Sequence, residues 1–534
     1  MNINQPRVDL NPHAWAEVAR ILEHHVPELD VWAFGSRAKW TAKSHSDLDL
    51  ALIGSEPLSL EKLAFLKEAF DESALPFRVD IVDWGSTSES FRKLIERDKV
   101  VVQSGKDQVH GVGWKSMALE DCLEALIDYR GKTPEKTLSG IPLVTAKVIK
   151  AGRIETPTEY IAAEEYDTWM RRGIPKAGDV VMTTEAPLGE VAQLGREKVA
   201  LAQRVITLRG KENLLDNTYL LYLLQSDEMQ EQLKARATGT TVLGIKQSEL
   251  RKVTLRIPPI TFQRSAAETL KALDDRITLL RETNATLEAV AQALFKSWFV
   301  DFDPVRAKME GRSPEGMDEA TARLFPDRFE ESELGLVPTG WRFSTVGESF
   351  VLTMGQSPPG DTYSADGNGL PFYQGRTDFG FRFPSKRMYC SAPTRIAEIG
   401  DTLVSVRAPV GDVNMAIERC CVGRDVSSVR HPKDYRSFTF YAMRGLGAHF
   451  ENFDSEGTIF GSINKKDFQA LPVIAPTLPA LAAYDVVSSP IDAKIVENEE
   501  QIRTLATLRD TLLPRLISGA LRLPEAQSLV EDLA

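Results

Sequence analysis

Three acidic residues and a Gly-Ser turn near the start of the chain carry the clearest chemistry. The segment FGSRAKWTAKSHSDLDLALIG, beginning at Phe34, sets Gly35-Ser36 ten residues ahead of Asp47-Leu48-Asp49. Alternate residues of a strand share a face, so Asp47 and Asp49 project together. A third acid, Asp80, lies in the apolar stretch RVDIVDW, which reads as a neighbouring strand. Clustered carboxylates hold Mg²⁺, and two such ions clamp a nucleoside triphosphate and stabilise in-line attack at its α-phosphorus. Asp47, Asp49 and Asp80 are therefore the candidate metal ligands and catalytic residues, with Asp80 also a candidate to deprotonate an acceptor hydroxyl. Gly35 and Ser36 are candidate nucleotide-binding positions, because such a turn offers backbone N–H groups and a hydroxyl to phosphate. A lone Asp-x-Asp is more often an exposed acidic strand end. Here the turn, the pair and the third acid occur together and in order.

The elements that must position these residues read as helix, strand, Gly-Ser turn, strand, helix (about Leu60 to Glu72), strand and helix. This order resembles the minimal nucleotidyltransferases of the polymerase-β-like superfamily. The resemblance implies a small α/β domain over residues 1–106, using Mg²⁺ and a nucleoside triphosphate if it is active. Trp40 stands in a loop where such proteins often carry a small residue. His45 and Asp83, close to the motif, read as structural or solvent-facing.

The rest of the chain is organised by an internal repeat of about 220 residues. Gly113-Trp114 recurs as Gly340-Trp341, and Gly140-Ile141-Pro142 as Gly369-Leu370-Pro371. GDVVMTTEAPLGEV, from Gly178, recurs as GDTLVSVRAPVGDV, from Gly400. GTTVLGIKQSELRKVTLRIP, from Gly239, recurs as GTIFGSINKKDFQALPVIAP, from Gly457. Two copies this long are homologous domains, not a solenoid. Each copy is strand-rich early and ends in a long helix. The first helix carries a three-four stripe at Leu270, Leu273, Ile277, Leu280, Asn284, Leu287, Ala291, Leu294 and Trp298. The second carries Ile491, Ile495, Asn498, Ile502, Leu505, Arg509, Leu512 and Leu516, weakened at Arg509. One asparagine per stripe, Asn284 and Asn498, costs stability and can set register. If a pseudo-twofold axis across the helices relates the repeats, the helices must run antiparallel, with the two globular domains at opposite ends of a rod. The alternative is two amphipathic helices, each packed only on its own domain.

These features resemble the specificity subunits of type I restriction enzymes, over roughly residues 113–524. KSWFVDFDPVRAK, from Lys296, and TLLPRLISGALRLP, from Thr511, close the two helices as such subunits do. The expected fold is α+β and multidomain: the nucleotidyltransferase-like domain, then two mixed α/β target-recognition domains joined by two long antiparallel coiled-coil helices. The expected bounds are 113–260 and 340–478 for the recognition domains, 261–300 and 479–520 for the helices, and 301–339 for a linker rich in Pro, Gly and acids. The resemblance implies that each domain reads half of a split site in double-stranded DNA. It also implies that the helices dock methyltransferase subunits, that motor–nuclease subunits join the complex, and that recognition needs no cofactor. A second reading makes the chain chiefly a Mg²⁺-dependent nucleotidyltransferase, delivered by its repeats to DNA or to a methyltransferase complex.

Charge and composition bound these readings. The net charge of −12 argues against indiscriminate nucleic-acid binding but not against local basic patches. Candidate DNA contacts are Arg407, Lys465, Lys466 and Arg382 in the second repeat, and Arg171 and Arg172 in the first; further cations include Lys386, Arg387, Arg424, Arg430 and Arg436. Arg407 stands where Glu185 stands in the first repeat. Cys122, Cys390, Cys420 and Cys421 show no metal-site spacing. No apolar run approaches the length of a membrane span, and the start lacks a signal-peptide pattern. A cytoplasmic location and no membrane partner are expected.

Overall fold

The computed structural model describes residues 8–27, 29–43, 46–54, 58, 60–103, 114–129, 133–239, 242–332, 335–407, 409–455, 461–521, 523, 526 and 529. His45 and Gly113 lie outside the described residues. The chain divides into two compact units, Met1–Asp275 with Ala506–Ala534, and Arg276–Leu505.

The first unit begins with the small α/β domain. Asn11 starts a helix at Pro12–His25: its side chain accepts the Ala14 N–H at 2.8 Å, and Pro12 sits where a missing N–H costs nothing. Val18, Ile21 and Leu22 recur at helical spacing. They are buried with Leu66 and Phe70, of the helix Leu60–Asp71, against Val31, Ala33, Leu48, Leu50 and Leu52 of a sheet. The strands are β1 (Asp30–Phe34), β2 (Leu48–Ile53), β3 (Val79–Asp83) and β4 (Val100–Gln103), ordered β3-β2-β1-β4. β2 and β3 run parallel, while β1 is antiparallel to both β2 and β4. Two details differ from the sequence reading. The Gly-Ser turn is the start of a one-turn helix, Gly35–Ala38, and β4 adds an edge to the sheet.

The first repeat places Leu188–Gln193, Val180–Thr184, Val205–Gly210 and Leu123–Asp128, in that order, in an antiparallel sheet. The second repeat, in the second unit, builds the same order from Val410–Met415, Thr402–Val406, Val426–Arg430 and Val351–Met354. The short β-branched runs make these strands because both faces are covered: Val180–Thr184 and Thr402–Val406 are buried throughout. Each repeat adds a parallel pair, Ile141–Val144 with Ala200–Leu201 and Leu370–Tyr373 with Cys420–Val422. Each also closes with a strand pair, Lys115–Ala118 with Thr254–Ile257 and Arg342–Thr345 with Pro472–Ala475. All four cysteines are buried free thiols.

Each repeat runs into a 40-residue helix, Ile260–Phe299 and Leu478–Ile517. At ~1.5 Å per residue each is about 60 Å long. In the first unit Leu270, Leu273, Leu512 and Leu516 are buried. There Asp274 accepts hydrogen bonds from the Tyr222 hydroxyl and from Arg509 Nη1, both at 2.7 Å. Arg509 thus interrupts its apolar stripe because it pairs across the helices. In the second unit Ile277, Leu280, Ala291, Ile495, Ile502 and Leu505 are buried around Asn284 and Asn498. Asn498 Nδ2 donates to Asn284 Oδ1 at 2.8 Å, and Asn284 Nδ2 donates to Glu499 Oε1 at 2.8 Å. The Tyr484 hydroxyl donates to the Ala291 carbonyl at 3.2 Å, so partner numbers fall as the first helix advances and the two segments are antiparallel.

The stretch between the repeats is built into the second unit's core. It forms a helix at Asp303–Met309 and a hairpin of Phe329–Ser332 with Gly335–Pro338. Phe302, Val305 and Phe325 are buried beside Trp298, Phe299 and Trp341. Among the described residues, no helix is long and apolar enough to cross a membrane.

Candidate functional site

The acids of the N-terminal domain are positioned by strand register. Asp49 and Asp80 are direct partners across the parallel β2–β3 pair, and Asp47 precedes β2 by one residue. With Leu48 and Leu50 facing the core, Asp49 and Asp47 fall on the opposite face, which Asp80 shares by register. Asp47 and Asp80 are exposed and Asp49 is half-buried. Burial raises the Asp49 pKa above the ordinary carboxylate value, and the charges of Asp80 and Asp47 raise it further. The donors are hard oxygen ligands of the kind Mg²⁺ takes. As the carboxylates stand, however, no group of three His, Cys, Asp or Glu side chains among the described residues is gathered closely enough to hold a metal ion.

The Gly-Ser turn meets this acid face. Phe34 is the register partner of Asp49, and Gly35 follows it with φ +75°. A Cβ on Gly35 would lie 2.2 Å from Asp49 Oδ2, so no side chain fits there unless Asp49 moves. The sequence reading missed the residue that anchors this turn. Arg37 is buried, donates Nε to the Ser46 carbonyl at 2.9 Å and Nη1 to the Asp9 carbonyl at 2.8 Å, and lies 4.0 Å over the Phe77 ring. It ties the turn to the residue just before Asp47. A cation directly after Gly-Ser, at the end of the apolar run Val31–Phe34, is the signal that could have revealed it. Asp83 is structural: its carboxylate accepts the Gly85 N–H at 3.2 Å at the end of β3. Trp40 is exposed, with φ 58°.

In the repeats, the two GD motifs build the same buried device. Asp179 takes Arg209 Nε and Nη2, each at 2.7 Å, and caps the Lys176 N–H at 2.8 Å. Asp401 takes Arg430 Nε at 2.5 Å and Nη2 at 2.8 Å, and caps the Glu398 N–H at 2.9 Å. These bonds fix the root of the hairpin that follows each motif. Beyond each hairpin's first strand stands one charged residue, the half-buried Glu185 or the exposed Arg407. The strand end is held alike in both copies: Thr184 N–H donates to the Arg204 carbonyl and Val406 N–H to the Asp425 carbonyl, each at 2.9 Å. Glu185 then bridges Gly244 and Arg407 bridges Ser462.

The cations read from sequence separate into two groups. Arg407, Lys465 and Lys466 are exposed. The lysines open the helix Lys465–Ala470, just past the segment that bridges Arg407. Arg171 and Arg172 are exposed in the turn after the helix Tyr166–Trp169, where Arg172 Nη1 donates to the Asp128 carbonyl at 2.9 Å. Arg382 must be corrected as a DNA contact: it is 1% exposed. Its Nη1 donates to Glu288 Oε2 at 2.8 Å and its Nη2 to Asp492 Oδ1 at 2.5 Å, and the guanidinium lies 3.5 Å over the Phe440 ring. Glu288 also takes Arg444, and Asp492 also takes the Ser437 hydroxyl. A charge this desolvated, with both Nη atoms bonded to carboxylates, anchors the second repeat on both helix segments and is not available to a ligand. Arg430 and Arg387 pair with the buried acids Asp401 and Asp378, while their own side chains stay 40% and 57% exposed.

Residues 111–289 match the family described as type I restriction modification DNA specificity domain, and residues 17–108 match polymerase beta, nucleotidyltransferase. The type I restriction enzyme MjaIX specificity subunit of Methanocaldococcus jannaschii is 25% identical over 368 residues, 66% of this chain and 80% of that protein. A Haemophilus influenzae protein named "Probable protein adenylyltransferase MntA" is 50% identical over 103 residues, 19% of this chain and 90% of that protein. The crystal structure of the type I restriction-modification S subunit from M. genitalium shares the fold: its TM-score is 0.51 at 15% identity, covering 76% of this chain and 96% of that one.

Proposed function

Because the chain belongs to the type I restriction–modification specificity subunits and carries a polymerase-β-type nucleotidyltransferase domain ahead of its repeats, we propose that it selects the DNA site of such a complex. Each repeat contacts one half of a bipartite site in double-stranded DNA. The paired helices set the spacing and dock methyltransferase subunits, and motor–nuclease subunits complete the assembly in the cytoplasm. The observation that carries this reading is the duplicated scaffold, with one sheet order built twice and each copy ending in one of two paired helices. On this reading the nucleotidyltransferase-like domain spans 1–106, the recognition domains 113–260 and 340–478, the helices 261–300 and 479–520, and the connection between the repeats 301–339. Arg407, Lys465 and Lys466 in the second repeat, and Arg171 and Arg172 in the first, are the proposed DNA contacts. Methylome sequencing of a host carrying the gene is expected to show a split motif that disappears on deletion; an unchanged methylome rejects the reading.

For the N-terminal domain we propose Mg²⁺-dependent nucleotidyl transfer. Asp47, Asp49 and Asp80 would hold the ion once drawn together, and it would supply positive charge to the triphosphate. The acceptor oxygen bonds the α-phosphorus as pyrophosphate leaves; Asp80, exposed at the sheet surface, takes the acceptor's proton, while Gly35 and Ser36 face the phosphates and Arg37 holds their turn. Radiolabel from α-labelled ATP should pass to a protein of the assembled complex. The Asp47→Ala/Asp49→Ala chain should transfer none, and unchanged transfer rejects the assignment.

A further inference from the structure

The two hairpin apices carry the same ion pair with its charges exchanged. In the first repeat Glu185 pairs with Arg204, Oε1 to Nε at 2.9 Å. In the second, Arg407 and its neighbour Arg424 both face Asp425, each Nε to Oδ1 at 3.7 Å. The positions are equivalent by backbone bonding, since Arg204 and Asp425 supply the carbonyls that hold Thr184 and Val406. All four side chains are at least one-third exposed. Exposed pairs of this kind contribute little to stability, so the fold does not dictate which partner is the acid. Around the first pair, Glu185, Gln203, Arg204, Thr238, Val242 and Lys246 line an open cleft of about 500 Å³.

The two apices suit opposite base edges. A carboxylate accepts from the exocyclic amino group of cytosine or adenine in the major groove. An arginine donates bidentately to guanine O6 and N7. We propose that Glu185 and Arg407 are the specificity-determining side chains of the two repeats, Glu185 reading an amino-bearing base in one half-site and Arg407 reading guanine in the other. Arg204 and Asp425 orient them and hold their charge when DNA is absent. This inference rests on the reading that the repeats contact DNA.

The test is selection of bound duplexes from a pool randomised over both half-sites, using the full chain assembled with its methyltransferase subunits. Wild-type chain should enrich a two-part motif; no motif at all would reject the DNA-recognition reading itself. Glu185→Gln should relax one base position in one half-site, and Arg407→Gln one guanine in the other. Each should lose on the order of ten- to hundredfold in preference with the opposite half unchanged. Unaltered motifs, or uniformly weaker binding with the same base preferences, would overturn the inference and leave the broader reading standing. Arg407→Lys keeps the charge without the bidentate fork and should lose the guanine preference too. If a glutamine variant fails to assemble, Glu185→Asp and Arg407→Lys decide by the same readout.

Discussion

The two repeats differ most where their surfaces are exposed and least where they are buried. Asp179–Arg209 and Asp401–Arg430 make the same bonds at the root of each hairpin, each adding a capped backbone N–H. A few residues further on, Glu185–Arg204 and Arg407–Asp425 exchange acid for base. A buried ion pair tolerates no such exchange, because every donor around it must be matched. At the apex water screens the charges, and the sequence is free to follow the ligand. The repeats also attach differently to their helices. Asp274 takes Tyr222 and an arginine of the second helix, Arg509, whereas Asp492 takes Ser437 and an arginine from its own domain, Arg382.

The largest test of this contrast is Arg382→Ala. It leaves Glu288 and Asp492 short of a partner in a desolvated site and should cost about 3–5 kcal/mol. Denaturant unfolding followed by hydrogen exchange should place the loss in Arg276–Leu505. Arg509→Ala, whose side chain is 24% exposed, should cost about 1 kcal/mol and act in the first unit. Equal losses would erase the asymmetry. Next comes the shared device. Asp179→Ala should cost about 3 kcal/mol, and Asp401→Ala less, because Arg430 is 40% exposed and can rehydrate where Arg209 at 12% cannot. Matched urea midpoints for the two would show that exposure does not govern the cost. The apex variants Glu185→Gln and Arg407→Gln should move the midpoint by no more than about 0.5 kcal/mol.

The smallest effect lies outside the repeats. The raised Asp49 pKa means that its protonated form is favoured by folding. The stability from that preference is present in acid and lost as pH rises through the folded-state pKa. Asp49→Asn should therefore slow hydrogen exchange of β2 near neutral pH and flatten its pH dependence. Faster exchange in the variant would contradict the repulsion ascribed to Asp47 and Asp80.

Much of this organisation is readable in the chain itself. The stripes from Leu270 and Ile491 announce paired helices because burial on one helical face imposes a three-four spacing. The acids of the N-terminal domain are equally visible, since strand alternation relates Asp47 to Asp49 by spacing alone. Arg382 was misread because an arginine's type suggests surface, and its acids sit far off in sequence at Glu288 and Asp492. The exchanged pair was half visible: Glu185 and Arg407 occupy matching motifs, but their partners do not. Aligning Gln203–Gly210 with Arg424–His431 sets Arg204 over Asp425 and Arg209 over Arg430. The signal is there, in a stretch whose apolar pattern draws the eye away from its charges.

The empty Cβ position of Gly35 has a genetic meaning. A glycine codon is silent only at its third base. Every missense change there adds a side chain 2.2 Å from Asp49 Oδ2. Such a change displaces the Asp49 carboxylate and leaves the repeats translated intact. On the proposed reading, alleles of this gene would sort, from a single codon, into those able to carry both proposed roles and those left with recognition alone.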